Sequence, residues 1–171
     1  MAARARSARI GVISDTHGLL RPEAMRALRG SALIVHAGDV GSVDVLETLR
    51  AIAPVVAVRG NNDGGAWARG LRETETLEVA GARLHVVHDL KELAIDPVRE
   101  GVDVIIAGHS HRPAIRRRDG VLFLNPGSAG PRRFDLPIAL ARVDIGRRLR
   151  ARIIELRIAP ASRAKRRRAS R

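Results

Sequence analysis

The sequence predicts an α/β fold in which two β-sheets pack against each other with helices on their outer faces. Three observations predict it. Apolar runs alternate with short helical patterns from residue 9 to residue 58, hairpin signals dominate from residue 75 onward, and a central run, Val102-Asp103-Val104-Ile105-Ile106-Ala107, lies between glycines. Alternation of strand and helix argues a parallel, doubly wound beginning, and a short, near-continuous apolar run reads as a strand buried on both faces.

Taken in order, residues 9–14 form a short apolar strand ending in Asp15-Thr16-His17-Gly18. A helix follows over 22–28, with proline in its first turn and Gly30 past its end. The strand over 32–36 runs into Ala37-Gly38-Asp39; Ser42 then caps a helix whose Val45, Leu46 and Leu49 share one face. A third strand over 55–58 empties into Arg59-Gly60-Asn61-Asn62-Asp63. The runs 75–79 and 83–87 flank Ala80-Gly81-Ala82 as a hairpin, the second of them ending at His88-Asp89, and a helix over 91–99 returns the chain to the central strand. Asp119-Gly120 turns a hairpin between 114–118 and 121–124, and Gly146 turns one between 138–145 and 149–158.

Composition narrows the function classes. The 171 residues suffice for one domain with a real core, taken here as 1–159, followed by a basic tail over 160–171 whose composition is that of a disordered segment. There is no cysteine, which excludes thiol catalysis and zinc-thiolate sites. No apolar run reaches membrane-spanning length and the basic start leads straight into a strand, so a cytoplasmic protein is expected. The net charge of +13 suggests nucleic acid until it is located: nine of the 31 Lys and Arg side chains lie in the first nine residues or beyond Pro160, where no acid occurs. With two lysines in all, the arginine excess reads as coding bias, and a solvated tail is favoured over nucleic-acid binding through it.

The central strand ends in Gly108-His109-Ser110-His111. On the premise that successive side chains diverge, the two imidazoles are expected to serve two ions, one each. Alone, His-x-His is a weak signal. Together with Asp15-x-His17, Gly38-Asp39, Gly60-Asn61-x-Asp63 and His88 it makes five motifs in order, all at strand ends, where ligands collect in parallel sheets. In these motifs the sequence resembles the calcineurin-like metallophosphoesterases, in particular the small bacterial and archaeal phosphodiesterases of that superfamily, over about residues 9–158.

The resemblance implies a four-layer αββα sandwich of two mixed sheets and a dinuclear, metal-dependent phosphoric diester hydrolase. Asp15, His17 and His111 would hold one ion, Asn61, His88 and His109 the other, and Asp39 would bridge. A water bridging the ions, acidified by both, would be the nucleophile for in-line attack. Carboxylate, imidazole and amide oxygen are hard and borderline donors; manganese is the first choice, with iron, zinc, nickel or cobalt also suited. Two divalent ions against two carboxylates and a hydroxide leave about one positive charge, which suits a small phosphodiester monoanion.

Two departures bear on catalysis. Asn62 stands at the catalytic position where many relatives have the His that protonates the leaving group, and an amide is no useful general acid. Slow turnover and a preference for low-pKa leaving groups are therefore expected, with Asp39 and Asn62 as the catalytic positions. Asp89 follows His88 where relatives usually have Gly, so it either crowds the second site or adds a carboxylate to it. Around the ligands, His36 is read as a packed support for Asp39, Asp63 as orienting its loop, and Asn125 as a neighbour of the site. His85 faces away from His88, Ser128 is no nucleophile, and Arg132, or its neighbour Arg133, is placed to reach a substrate phosphate. The rivals are an inactive scaffold of the same fold, as in a eukaryotic retromer relative, and a phosphomonoesterase. A homodimer is common among the relatives. All seven ligand positions hold competent residues, which favours an enzyme.

Overall fold

The computed structural model describes residues 7–158; the tail over 160–171, like Arg4 and Arg6, lies outside the described residues. Three parallel strands, β1 (Ala8–Ile13), β2 (Leu33–His36) and β3 (Val55–Ala57), alternate with helices α1 (Pro22–Leu28) and α2 (Val43–Arg50). They are followed by the hairpin β4 (Thr74–Val79) and β5 (Ala82–Val87), the central strand β6 (Val104–Ile106), and the hairpin β7 (Ala114–Arg118) and β8 (Val121–Asn125). β9 (Ala139–Ile145) and β10 (Arg150–Glu155) close the chain. One sheet has the order β10-β9-β1-β2-β3 and the other β4-β5-β6-β8-β7. Both are mixed: β1, β2 and β3 run parallel, as do β5, β6 and β8, with antiparallel strands outside them.

Period-two alternation sorts each strand between two cores. Ile10 and Val12 of β1 point between the sheets, where they join Leu84, Val86, Val104 and Ile106. Ile13 and Ile34 point the other way, under Leu28 of α1 and Leu46 and Leu49 of α2. Ser42 sits at the N-cap of α2 with extended backbone, yet its side chain makes no capping bond. Among the described residues no helix is long and apolar enough to cross a membrane.

The expected helix over 91–99 does not form. A single 3-10 turn, Leu90–Glu92, is followed by irregular chain, and Leu93 and Ile95 alone lean on Val102, Ile105 and Val121. Pro97 explains it: proline bars the α conformation at Asp96, whose carboxylate instead accepts the amides of Val98 and Arg99 at 3.0 and 3.2 Å. The outer layer on this sheet is correspondingly thin.

Gly11 is the point on β1 where α1 comes closest. A Cβ there would run into the side chains of Leu28 and Ser31. Gly11→Ala should therefore lower stability by roughly 1–3 kcal/mol through overpacking, seen as a lower urea midpoint at unchanged m; an unmoved midpoint would mean that α1 can slide without loss.

Candidate metal centre

Every parallel strand delivers its following loop to one end of the molecule. The loop after β1 carries Asp15 and His17, that after β2 Asp39, that after β3 Asn61 and Asn62; from the other sheet come His88 after β5 and His109 and His111 after β6. The loops are sewn together by main-chain bonds that outlast the strands: Asp15 N–H donates to the Gly38 carbonyl at 3.0 Å, His17 to Asp39 at 2.9 Å and Gly108 to His88 at 2.9 Å. Glycine is required where they touch. A Cβ on Gly108 would strike Ser14 and Asp15, and one on Gly60 would strike the Asp39 backbone.

The histidines fall into two pairs on either side of Asp39. His17 and His111 stack with ring centroids 5.4 Å apart, and His88 and His109 meet edge to face at 5.2 Å. Asp15 Oδ1 lies 3.2 Å from His111 Nε2, and Asn61 Oδ1 lies 3.0 Å from His88 Nε2 and 3.1 Å from His109 Nδ1. Asp39 Oδ2 faces both groups, 3.8 Å from His17 Nε2 and 3.4 Å from His88 Nε2. Asp15 thus lies with His111, Asn61 with His88 and His109, and Asp39 faces His17 and His88.

The divergence of His109 and His111 has a different cause from the one expected. On an extended strand, residues i and i+2 share a face and would point together. Here both residues are left-handed, with φ of 62° and 58°, and so are Asp15, His17 and Asp39 at 53°, 47° and 52°. Non-glycine residues seldom adopt this conformation, and each instance stores strain of order 1 kcal/mol. Of the eight described non-glycine residues with positive φ, five are these site residues.

Hydrogen bonding decides what the site can hold. Ser14 Oγ donates to Asp15 Oδ2 at 2.6 Å and the His109 amide donates to the same oxygen at 3.2 Å, which leaves Oδ1 free. His88 Nδ1 lies 2.7 Å from the Ala37 carbonyl, so it must be the donor, and Nε2 faces the oxygens of Asn61 and Asp39, with an N–H when the ring is charged and a lone pair when it is neutral. Asp15 Oδ1, His17 Nε2 and His111 Nδ1 are buried without any partner. Unpartnered buried atoms on one carboxylate and two imidazoles are what a cation, or an extra proton, would satisfy. Ligand-bearing atoms of Asp15, His17 and His111 lie within 4.8 Å of one another, as do those of Asp15, Asp39 and His88. The donor set and its unpartnered atoms fit divalent ions.

The electrostatics agree. Burial alone would raise the Asp39 carboxyl, but bonds from His88 and Asn62 overcome it and hold the group well below the usual range. Burial alone would lower His88; the facing Asp39 and the Ala37 carbonyl raise it to about 8. His17 is lowered, chiefly by burial, against the pull of Asp39 and Asp15 and with the help of Arg133.

The supporting residues are placed as follows. Asn62 pins Asp39, its amide N–H donating to Oδ1 at 2.8 Å and its side chain to Oδ2 at 2.7 Å. Asp63 accepts the amides of Gly41 and Gly60, both at 2.9 Å. Asn125 donates to the Gly108 carbonyl at 2.7 Å and fixes the histidine loop from below. Ser128 donates to the Asp15 carbonyl, and His85 bonds Thr76 away from the site. Asp89 Oδ2 stands at the rim, 3.6 Å from His109 Nε2, while its other oxygen accepts the Lys91 amide. Arg132 donates to the Leu136 carbonyl within its own loop, and it is Arg133 whose charge reaches His17. Ser14 and Thr16 went unnoticed in the sequence, where only their places beside Asp15 and His17 signal a role.

His36 does not touch Asp39. Thr16 Oγ1 donates to the Val40 carbonyl at 2.8 Å, so His36 Nε2 must donate to Thr16, and Nδ1 accepts the Gly38 amide at 3.2 Å. Both nitrogens are committed in a neutral ring, and complete burial lowers its pKa from 6.5 to about 4 despite nearby Asp15 and Asp63. Between those pH values the unfolded chain binds a proton that the folded one refuses, so stability present above 6.5 is lost as pH falls toward 4. In chelator, the wild type should lose about 3 kcal/mol more across that window than a His36→Gln variant; parallel urea-unfolding profiles would rule out this role for the ring.

Comparison with known proteins places the chain. Residues 9–148 match the calcineurin-like phosphoesterase superfamily domain. A probable metallophosphoesterase of Methanothermobacter thermautotrophicus is 39% identical over 158 residues, covering 85% of this chain and 91% of its own. A phosphodiesterase of Methanocaldococcus jannaschii is 28% identical over 138 residues, covering 70% and 82%. Among solved structures, an archaeal phosphodiesterase superposes with a TM-score of 0.73 at 24% identity, covering 86% of this chain and 99% of that one. Vacuolar protein sorting 29 of Cryptosporidium parvum superposes with 0.75 at 20% identity, covering 89% and 93%. These last two likenesses are likenesses of fold.

Proposed function

The chain belongs to the calcineurin-like phosphoesterase superfamily, and from that premise we propose that it is a phosphodiesterase working with two divalent ions. The observation that carries the reading is the cluster of unpartnered buried atoms on Asp15, His17 and His111 beside the Asp39 carboxylate, with Asn61, His88 and His109 grouped next to it. Asp15, His17 and His111 would hold one ion and Asn61, His88 and His109 the other, with Asp39 shared; manganese is the first choice for this mixed donor set. When bound, such ions supply Lewis-acid polarisation of a phosphoryl oxygen and acidify water to near neutrality.

The chain's own residues do the rest. The Ala37 carbonyl fixes the His88 tautomer so that its lone pair faces inward, and Ser14 and the His109 amide turn Asp15 Oδ1 toward the site. Asp89 adds a third carboxylate at the rim, which disfavours a dianionic monoester relative to a monoanionic diester. A scaffold role needs no complete ligand set; the likeness to Vps29 rests on fold, while phosphodiesterase relatives support an enzyme.

Metal analysis and hydrolysis of bis(p-nitrophenyl) phosphate before and after chelation test this directly. Activity should vanish with chelator and return with manganese, and Asp39→Asn, which weakens both sites at once, should reduce turnover at least about a hundredfold. Near-normal turnover in that variant would refute the shared carboxylate.

Asn62 lends its amide to Asp39 and offers no proton to a departing alkoxide. Aryl diesters should therefore be hydrolysed faster than alkyl diesters by about a hundredfold or more, general acid catalysis being worth that much when present. Equal rates would place a proton donor elsewhere at the site.

A further inference from the structure

The missing helix over 91–99 leaves part of the outer face of the second sheet bare. A groove of about 470 Å³ opens there, with the half-buried Phe123 on its floor and Ile105 covered beneath. One end lies at Gly108, Ser110 and Asp89, directly beside His109, so the groove is continuous with the candidate metal centre. Lys91, Arg112 and Arg116 line it; all three are exposed, and none forms an ion pair among the described residues.

The strand register sets a spacing along this groove. Ala114 pairs with Asn125 next to the histidine loop, and two residues further on Arg116 pairs with Phe123. A two-residue step along a strand is about 7 Å, so Arg116 stands one such step beyond the end of the groove that adjoins the histidine loop. An aromatic floor with unpaired guanidinium groups beside it is also the combination that binds single-stranded nucleotides through stacking and charge.

We propose that this groove is the subsite for one arm of the diester, a nucleotide whose sugar or base lies on Phe123 and whose next phosphate meets Arg112 and Arg116. The substrate class is accordingly a short single-stranded oligonucleotide, entered at a terminal linkage. This rests on the phosphodiesterase reading only for the reaction; the binding stands on the groove itself.

Calorimetric titration of the metal-loaded protein with thymidine 3′-phosphate and with thymidine 3′,5′-bisphosphate tests the binding without turnover. The second phosphate should tighten binding about tenfold or more, as charge-assisted bonds do, and an Arg112→Gln/Arg116→Gln double variant should lose that increment. Phe123→Leu should weaken both ligands alike. Equal affinity for the two ligands, or an increment that survives in the double variant, overturns the proposal and leaves the groove to a protein segment. In parallel, the wild type should hydrolyse methyl p-nitrophenyl phosphate, which has no nucleotide arm; no hydrolysis would count against the diesterase reading and leave the binding result standing.

Discussion

Asp39 carries the burden of joining the two halves of this site. Its carboxylate is nearly fully buried, and burial by itself would neutralise it. It stays charged because Asn62 grips both oxygens and because His88 bonds the same carboxylate. A buried anion keeps its charge only where donors and positive charge accompany it. The rest of the loop architecture follows from supplying a place for that charge and preventing the ligands from collapsing onto one another.

The left-handed backbone at Asp15, His17, Asp39, His109 and His111 is the means. A strand end that continued in the β conformation would carry its side chains away from the crevice or alternate them across the sheet. A left-handed residue reverses the chain within one peptide and throws its side chain across the strand axis toward the neighbouring loop. Such residues revert unless their surroundings over-determine them. Here the determination is visible: the amides of Asp15 and His17 are bonded to the carbonyls of Gly38 and Asp39, and the loop after β8 locks Asp15 through Ser128. Gly60 and Gly108, lacking Cβ atoms, let these loops approach closely enough to lock.

Much of this was legible in the sequence, for identifiable reasons. Short apolar runs bounded by glycine fix strand ends well, and each motif sat at such an end, so all seven ligand candidates could be placed at one edge before any coordinates. Three things were hidden. The backbone angle at His109 and His111 has no signature in residue type, and an extended segment would have brought the two rings to the same side. The segment 91–99 between two strands reads as a helix, but a single proline and the Asp96 carboxylate divert the chain into turns. Between Arg132 and Arg133, adjacency in sequence gave no means of choice; the loop's own turn occupies the first with the Leu136 carbonyl. The role of His36 was half legible: a buried strand histidine is a support, but what it supports is Thr16 and the Gly38 amide.

Each ligand set draws from both sheets. Asp15 and His17 follow β1 of the first sheet while His111 follows β6 of the second; Asn61 follows β3, while His88 and His109 come from the second sheet again. Any cation held by either set therefore bridges the two sheets at the open end of the hydrophobic layer between them. An ion that bound the assembled set better than a disordered chain would add to the folding free energy. The sandwich's apolar interior of Ile10, Val12, Leu84 and Ile106 brings the loops within reach, and the charge between them then resists the separation of the same two layers. Fold and site thus stabilise one another through a shared boundary, which is why the strain of five left-handed residues can persist there.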